Sequence, residues 1–209
     1  MAILETTRTK LNNEINLIGT QEAEKGNCIL IIGVVHGDEP QGEFLINNHL
    51  KNHKDLKNLI FIPALNPDGK KLNERTNANG VDINRNFPTK NWILSEKNRY
   101  FGGEHPASEI ETKFVINIVE KYNPKLIITL HTPFKIINFD GMAREISGKI
   151  ASCFDYPVEE SIGYSTPGSF GTWAGVERNI PIITIEMDEE CPQEELIIPF
   201  EKMIKYLSE

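Results

Sequence analysis

Residues 28–42 read CILIIGVVHGDEPQG. A five-residue apolar run reaches Gly33, and three chemistry-bearing side chains, His36, Asp38 and Glu39, then fall within four positions. A turn uses a glycine and can use an aspartate; it has no need of a histidine and a glutamate. Three other runs share the apolar, β-branched character of the first: NLIFIPAL (58–65), LIITLH (126–131) and IPIITIEM (180–187). Runs that are apolar almost throughout suit strands covered on both faces, as in an α/β sheet. Helical spacing lies between them, over 39–53 and about 107–121, with further helices expected near 141–153 and 193–208. In the second of these Ser108 is placed to cap, Glu109 and Glu111 fall in the first turn, and Phe114, Val115, Ile118 and Val119 form a stripe.

The chain has 209 residues, 39% hydrophobic and 25% charged, with a formal net charge of −8. These values describe a globular domain able to bury its own core. The acidic balance argues against nucleic acid or an anionic membrane as partner, since either would call for a basic face. No apolar stretch approaches the ~18–20 residues of a membrane span. The start, MAILETTRTKLNNEINLIG, offers only a short apolar stretch before its charges, so no secretory leader is expected. Cys28, Cys153 and Cys191 are odd in number and form no close pair, which fits reduced thiols in a cytoplasmic protein. With no repeat and no linker, the chain reads as one domain over 1–209, its core about 28–190.

Residues 66–106 are rich in Asn, Gly and Pro and have little periodicity. A stretch of that length inside a compact domain is functional or disordered, and its mixture of Arg, Asp and Asn favours an ordered functional loop.

His36 follows the first run, His131 ends the third and Glu186 sits near the end of the fourth. Ligands of open α/β sheets bind beyond the carboxyl ends of strands. If these strands run alike, the three side chains meet at one edge, and Glu39, three residues after His36, can face the same point. Two imidazoles and a carboxylate form the ligand set of a catalytic zinc site with its fourth position open to water. Glu186 would then be the general base. Separately, Gly-Asp-Glu-Pro reads as a simple turn, and a histidine ending a strand reads as a satisfied core residue. A glutamate within so apolar a run demands a partner or a role. His49 and His53 stand four apart on a helical stretch, but the run is studded with Lys and Asn and reads as a solvated face. His105 reads as a loop residue.

Taken in order, HGDE (36–39), NPDG (66–69), NERTNANGVDINRNFP (73–88), LHT (130–132) and ITIEM (183–187) resemble the zinc carboxypeptidase family. The segment 162–187, IGYSTPGSFGTWAGVERNIPIITIEM, is similar to the murein peptide amidase branch, which cuts the γ-D-glutamyl–diaminopimelate bond of cell-wall peptides. The resemblance implies a three-layer sandwich, with a mixed, mostly parallel sheet flanked by helices. It implies one Zn2+ per chain, held by His36, Glu39 and His131, with Glu186 as general base and then general acid. It makes Asp82 the acceptor that orients the first ligand histidine. Asn84 and Arg85 become the grip on the substrate's terminal carboxylate, and Arg75 the group that stabilises the oxyanion. Tyr164 lies in the interval where carboxypeptidases carry a substrate-facing tyrosine, although its Thr-Pro-Gly-Ser context departs from theirs. The implied partner is a small murein-derived peptide. Two rival readings remain: an N-acylamino acid deacylase of the succinylglutamate desuccinylase or aspartoacylase kind, and a non-catalytic peptide binder that uses Asn84 and Arg85.

Overall fold

The computed structural model describes residues 1–20, 23–53 and 58–208. Its eight strands are β1 (Ala2–Arg8), β2 (Glu14–Gly19), β3 (Ile29–Ile32), β4 (Leu59–Ile62), β5 (Leu126–His131), β6 (Ile136–Asp140), β7 (Val158–Glu159) and β8 (Ile182–Glu186). They form one sheet in the order β1-β2-β4-β3-β5-β8-β6-β7. The central strands β4, β3, β5 and β8 run parallel, while β1, β2 and β6 meet their inner neighbours antiparallel. The sheet is thus mixed, with its parallel part at the centre.

Successive residues of a strand face opposite sides, and β3 divides accordingly. Ile29 and Ile31 join one apolar cluster, Leu30 and Ile32 the other. The first is covered by α1 (Gln41–Asn52), α4 (Arg144–Phe154) and α5 (Ile197–Ser208); the second by α3 (Ile110–Tyr122) and a π-helical turn at Gly171–Val176. The result is the three-layer sandwich expected. Among the described residues no helix is long and apolar enough to cross a membrane.

Several elements are shorter than the apolar runs. The run 28–35 keeps strand geometry only to Ile32, because Val34 turns to φ 49°. A β-branched residue in the left-handed region is strained. Val34 is held there by Asn66, whose N–H donates to its carbonyl at 2.9 Å. The fourth strand begins at Ile182, after Pro181, rather than at 180. In α3 the N-cap is Glu109, not Ser108, whose hydroxyl instead donates to Glu109 Oε1 at 2.6 Å. The 193–208 stretch opens with a 3-10 turn at Gln193–Leu196 before α5.

His49 overturns the solvated-face reading, being only 2% exposed. The face it shares with Leu45 is roofed by α5, whose Phe200 ring lies 6.2 Å from the His49 ring. Lys51, the charge of that run among the described residues, is exposed.

The Asn-rich stretch after β4 is ordered, and asparagines are the reason. Asn66 caps the short helix α2 (Pro67–Leu72), accepting from the Gly69 N–H at 2.8 Å, and Asn73 closes it at φ 53°. Asp68 in that helix is buried and holds the β1–β2 hairpin through Thr9, Leu11 and Asn13. Gly37 touches α2 so closely that a Cβ on it would lie 2.1 Å from the Gly69 carbonyl carbon. This contact, rather than turn freedom, requires the glycine. Asn77 donates to Glu109 and Glu111 at 2.8 and 3.1 Å. Fully buried Asn86 donates to Gly102 O (2.7 Å), His105 O (3.2 Å) and Ser108 Oγ (2.9 Å), and accepts from the Glu109 N–H at 3.1 Å.

Removing a side chain that satisfies several buried groups strands all of them. Asn86→Ala is expected to lower the unfolding free energy by about 2–3 kcal/mol in urea denaturation.

Candidate active site

Strands β3, β5 and β8 deliver their polar residues to one edge of the sheet. His131 and Glu186, the last residues of β5 and β8, are register partners on neighbouring parallel strands. His36 lies four residues beyond β3, on the bend that Val34 begins, and Glu39 ends that bend just before α1. His36, Glu39 and His131 are all buried. Glu39 stands between the rings: Oε1 is 2.8 Å from His36 Nδ1, and Oε2 is 2.8 Å from His131 Nδ1. The two imidazole nitrogens are 3.1 Å apart. Protons can satisfy these donors only in pairs, whereas one cation among them satisfies all three. Two imidazoles and a carboxylate with an open side toward a cavity suit zinc, and the group is able to hold a metal ion.

Behind His36 lies Asp82, which has no exposed surface. Asp82 Oδ1 is 3.3 Å from His36 Nε2 and accepts from the Asn84 N–H at 2.9 Å. Asp82 Oδ2 accepts from Arg75 Nε at 2.9 Å. A carboxylate behind an imidazole fixes its tautomer and raises its basicity as a ligand. Burial opposes ionisation of Asp82, but His36 and Arg75 outweigh it and hold the group well below the usual carboxylate range. Burial likewise opposes charge on Glu39, and His36 and His131 outweigh it. Glu186 moves the other way. Burial first, and then the negative charge of Glu39, push it up to about 8, and its Oε2 is buried without a hydrogen-bond partner.

The cavity at this edge has a volume of about 320 Å³ and is lined by His36, Glu39, Arg75, Asn84, Arg85, His131, Tyr164 and Glu186, whereas Asp82 lies behind it. Arg75 reaches it with Nη1 3.6 Å from Glu39 Oε1. Arg85 is buried, and its Nη1 donates to the Asn84 carbonyl at 2.7 Å. Among the described residues no carboxylate pairs with Arg85. Asn84 is oriented by the Phe170 N–H, which donates to Oδ1 at 2.9 Å. Tyr164 lines the cavity and is half exposed. Tyr100 forms part of the same wall, with the Arg75 guanidinium 5.3 Å from its ring centroid. Asp38 lines the same cavity and pairs with Arg99 at 3.5 Å.

Sequence reasoning missed the far wall. Asn138 and Asp140 alternate on β6, Thr184 and Glu186 alternate on β8, and Asn138 pairs in register with Thr184. All four line the cavity. Asp140 is pushed up by burial and has no cationic partner among the described residues. It fits only because residue 171 is glycine, where a Cβ would lie 2.1 Å from Asp140 Oδ2. The available signal was the polar alternation of 138 and 140, hidden in a strand that the apolar-run criterion passed over.

Comparison with known proteins gives one direction. The zinc carboxypeptidase family model matches residues 3–145. Murein peptide amidase A of Escherichia coli strain K12 is 34% identical over 170 residues, covering 75% of this chain and 69% of the relative. The Vibrio campbellii protein of that name is 29% identical over 180 residues, covering 79% of this chain and 71% of the relative. Among solved structures, murein-tripeptide amidase from Escherichia coli O157 superposes with a TM-score of 0.84 at 29% identity, covering 97% of this chain and 90% of that one. Carboxypeptidase A from Helicoverpa armigera shares the fold, with a TM-score of 0.79 at 18% identity over 98% of this chain and 68% of that one. The chain belongs to the zinc carboxypeptidase family and is a zinc metallopeptidase.

Proposed function

We propose that this enzyme hydrolyses the amide bond before a carboxylate-bearing, cationic terminal residue, the γ-D-glutamyl–diaminopimelate bond of murein peptides. The observation that carries the reading is a pair of lone charges facing one cavity beside the His36–Glu39–His131 cluster. Among the described residues Arg85 pairs with no carboxylate and Asp140 with no cation. A diaminopimelate residue brings both complements. Its free α-carboxylate suits the Arg85 fork and Asn84, and its side-chain ammonium suits Asp140. Relatives named as murein peptide amidases support the same substrate.

In this reading His36, Glu39 and His131 are the metal ligands, and Asp82 keeps His36 in its ligating tautomer. A zinc ion held there supplies Lewis-acid polarisation and lowers the pKa of a water toward ~7. Glu186, one strand from His131, takes the proton of the attacking water on its carboxylate. Its raised pKa, near 8, suits it to hold that proton and pass it to the departing amine. Arg75, anchored through Nε to Asp82, offers its remaining N–H groups to the carbonyl oxygen as negative charge develops. Asn84 and Arg85 fix the scissile bond by its neighbouring carboxylate, and Tyr164 closes over it. The enzyme acts in the cytoplasm on recycled wall fragments. The three unpaired cysteines fit that reducing compartment.

Incubation with purified murein tripeptide and mass spectrometry of the products tests the substrate. Release of diaminopimelate is expected. Exclusive turnover of N-acylamino acids would instead favour the deacylase reading, and zinc without hydrolysis of any peptide would favour the binder. Glu186→Gln is expected to keep its zinc and lose about 10²–10⁴-fold in kcat; substantial turnover by that variant would contradict the mechanism. Asp140→Ala is expected to raise KM about 10–100-fold for substrates with a cationic terminal side chain and to leave neutral ones little changed.

Glu186 also sets a pH dependence. Its folded-state pKa of about 8 lies above the ordinary value of 4.5, so the folded chain binds more protons between those values. Stability of the chelator-treated protein therefore falls as pH rises through that window. At pH 9 Glu186→Gln should exceed the parent by about 1–3 kcal/mol in urea denaturation, and at pH 4 the two should coincide.

A further inference from the structure

We propose that His49, His53 and Glu201 form a second metal site, remote from the catalytic cavity, for a divalent ion of the zinc class. The site clamps α1 to α5.

His49 and His53 are four apart at the end of α1, the spacing that puts two side chains on one helix face. Their rings are 4.5 Å apart between centroids and nearly parallel, at 18°. Glu201 reaches them from α5: its oxygens lie 2.8 and 2.9 Å from His49 Nδ1, and Oε2 lies 3.4 Å from His53 Nε2. The three donor atoms are all within 4.8 Å of one another. Ligands at the ~2.0–2.2 Å bond lengths of zinc stand about 3–3.5 Å apart at tetrahedral angles, so the cluster has the right scale. Imidazole with one carboxylate is a donor set for zinc, nickel or copper rather than for magnesium or calcium.

A second observation points to a ligand. His49 Nε2 is buried and has no hydrogen-bond partner. The surrounding rings are those of Phe61 and Phe200, at 5.9 and 6.2 Å. A neutral imidazole carries one proton, on either nitrogen. On Nδ1 the proton would serve Glu201 but leave a bare lone pair among aromatic rings. On Nε2 it makes an N–H that aromatic faces tolerate, and a lone pair then opposes the Glu201 carboxylate. A cation at Nδ1 removes that opposition.

Access is open on one side, since His53 is half exposed and Glu201 partly so. None of the three residues lines the catalytic cavity. His49 lies roughly 12 Å along the helix axis from the start of α1 at Gln41. An ion bound there joins two helices that cover the same sheet face and favours the folded state by its binding free energy.

Enzyme already carrying one equivalent of zinc is dialysed against increasing zinc, and metal content is read by mass spectrometry. The parent is expected to take up a second equivalent and to gain a higher thermal midpoint. His53→Gln, a change at an exposed position, and Glu201→Gln are each expected to stop at one equivalent and gain no midpoint, with hydrolysis unchanged. His36→Ala should lose the catalytic equivalent and keep the other. Saturation of the parent at one equivalent would overturn the proposal. So would a second equivalent retained in both His53→Gln and Glu201→Gln.

Discussion

The site depends on one buried carboxylate. Asp82 has no exposed surface, and an ionised group in that position is tolerated only when each lone pair has a donor. Its partners come from three places in the chain: the Arg75 guanidinium and the Asn84 backbone donate to it, and the His36 ring beyond β3 lies 3.3 Å away. Satisfying Asp82 therefore fixes the long Asn-rich stretch against the edge of the sheet. It also sets the direction of His36 toward Glu39 and leaves the outer N–H groups of Arg75 facing the cavity. Removing Asp82 would uncouple these at once, whereas removing Arg85 would leave the rest of the frame in place.

The parts legible in the sequence are those governed by local pattern. The four central strands are buried on both faces, so their apolar runs announced them, and the ends of those runs located His36, His131 and Glu186. Strands β1, β2, β6 and β7 escaped notice for the opposite reason: each keeps positions that are not buried. In β2 only Ile15, Leu17 and Gly19 are buried, and β7 has two residues. Asp140 was invisible because its role depends on β6 returning beside β8, a pairing no local pattern encodes. His49 was misread by the same logic. The Lys and Asn around it describe one side of α1, while the side that matters is covered by a helix some 150 residues later in the chain.

The site holds strain and an unmet polar group of its own. Val34 holds a positive φ on the bend that presents His36, and burial and the charge of Glu39 push the Glu186 carboxyl up to about 8. Both cost stability, and a site with preorganised charges accepts that cost because it need not reorganise during reaction. The surrounding asparagine network has no such tension. Asn66, Asn77 and Asn86 are buried with their partners in place, so the frame is rigid where the site is strained.

Arg85 and Asp140 carry this logic to substrate choice. Each is a buried or half-buried charge without an oppositely charged partner among the described residues, although they line the same cavity. Had they paired with each other, both desolvation costs would be offset and the cavity closed. Held apart, each keeps an unmet demand of opposite sign, and a ligand must answer both at once. A neutral terminal residue would leave Asp140 buried and unpaired, and a substrate lacking the free carboxylate would leave Arg85 so. Discrimination of this kind comes from the penalty on the wrong ligand as much as from contacts with the right one. In the proposed reading, selectivity for a zwitterionic terminal residue follows from the separation of two charges that the fold does not pair.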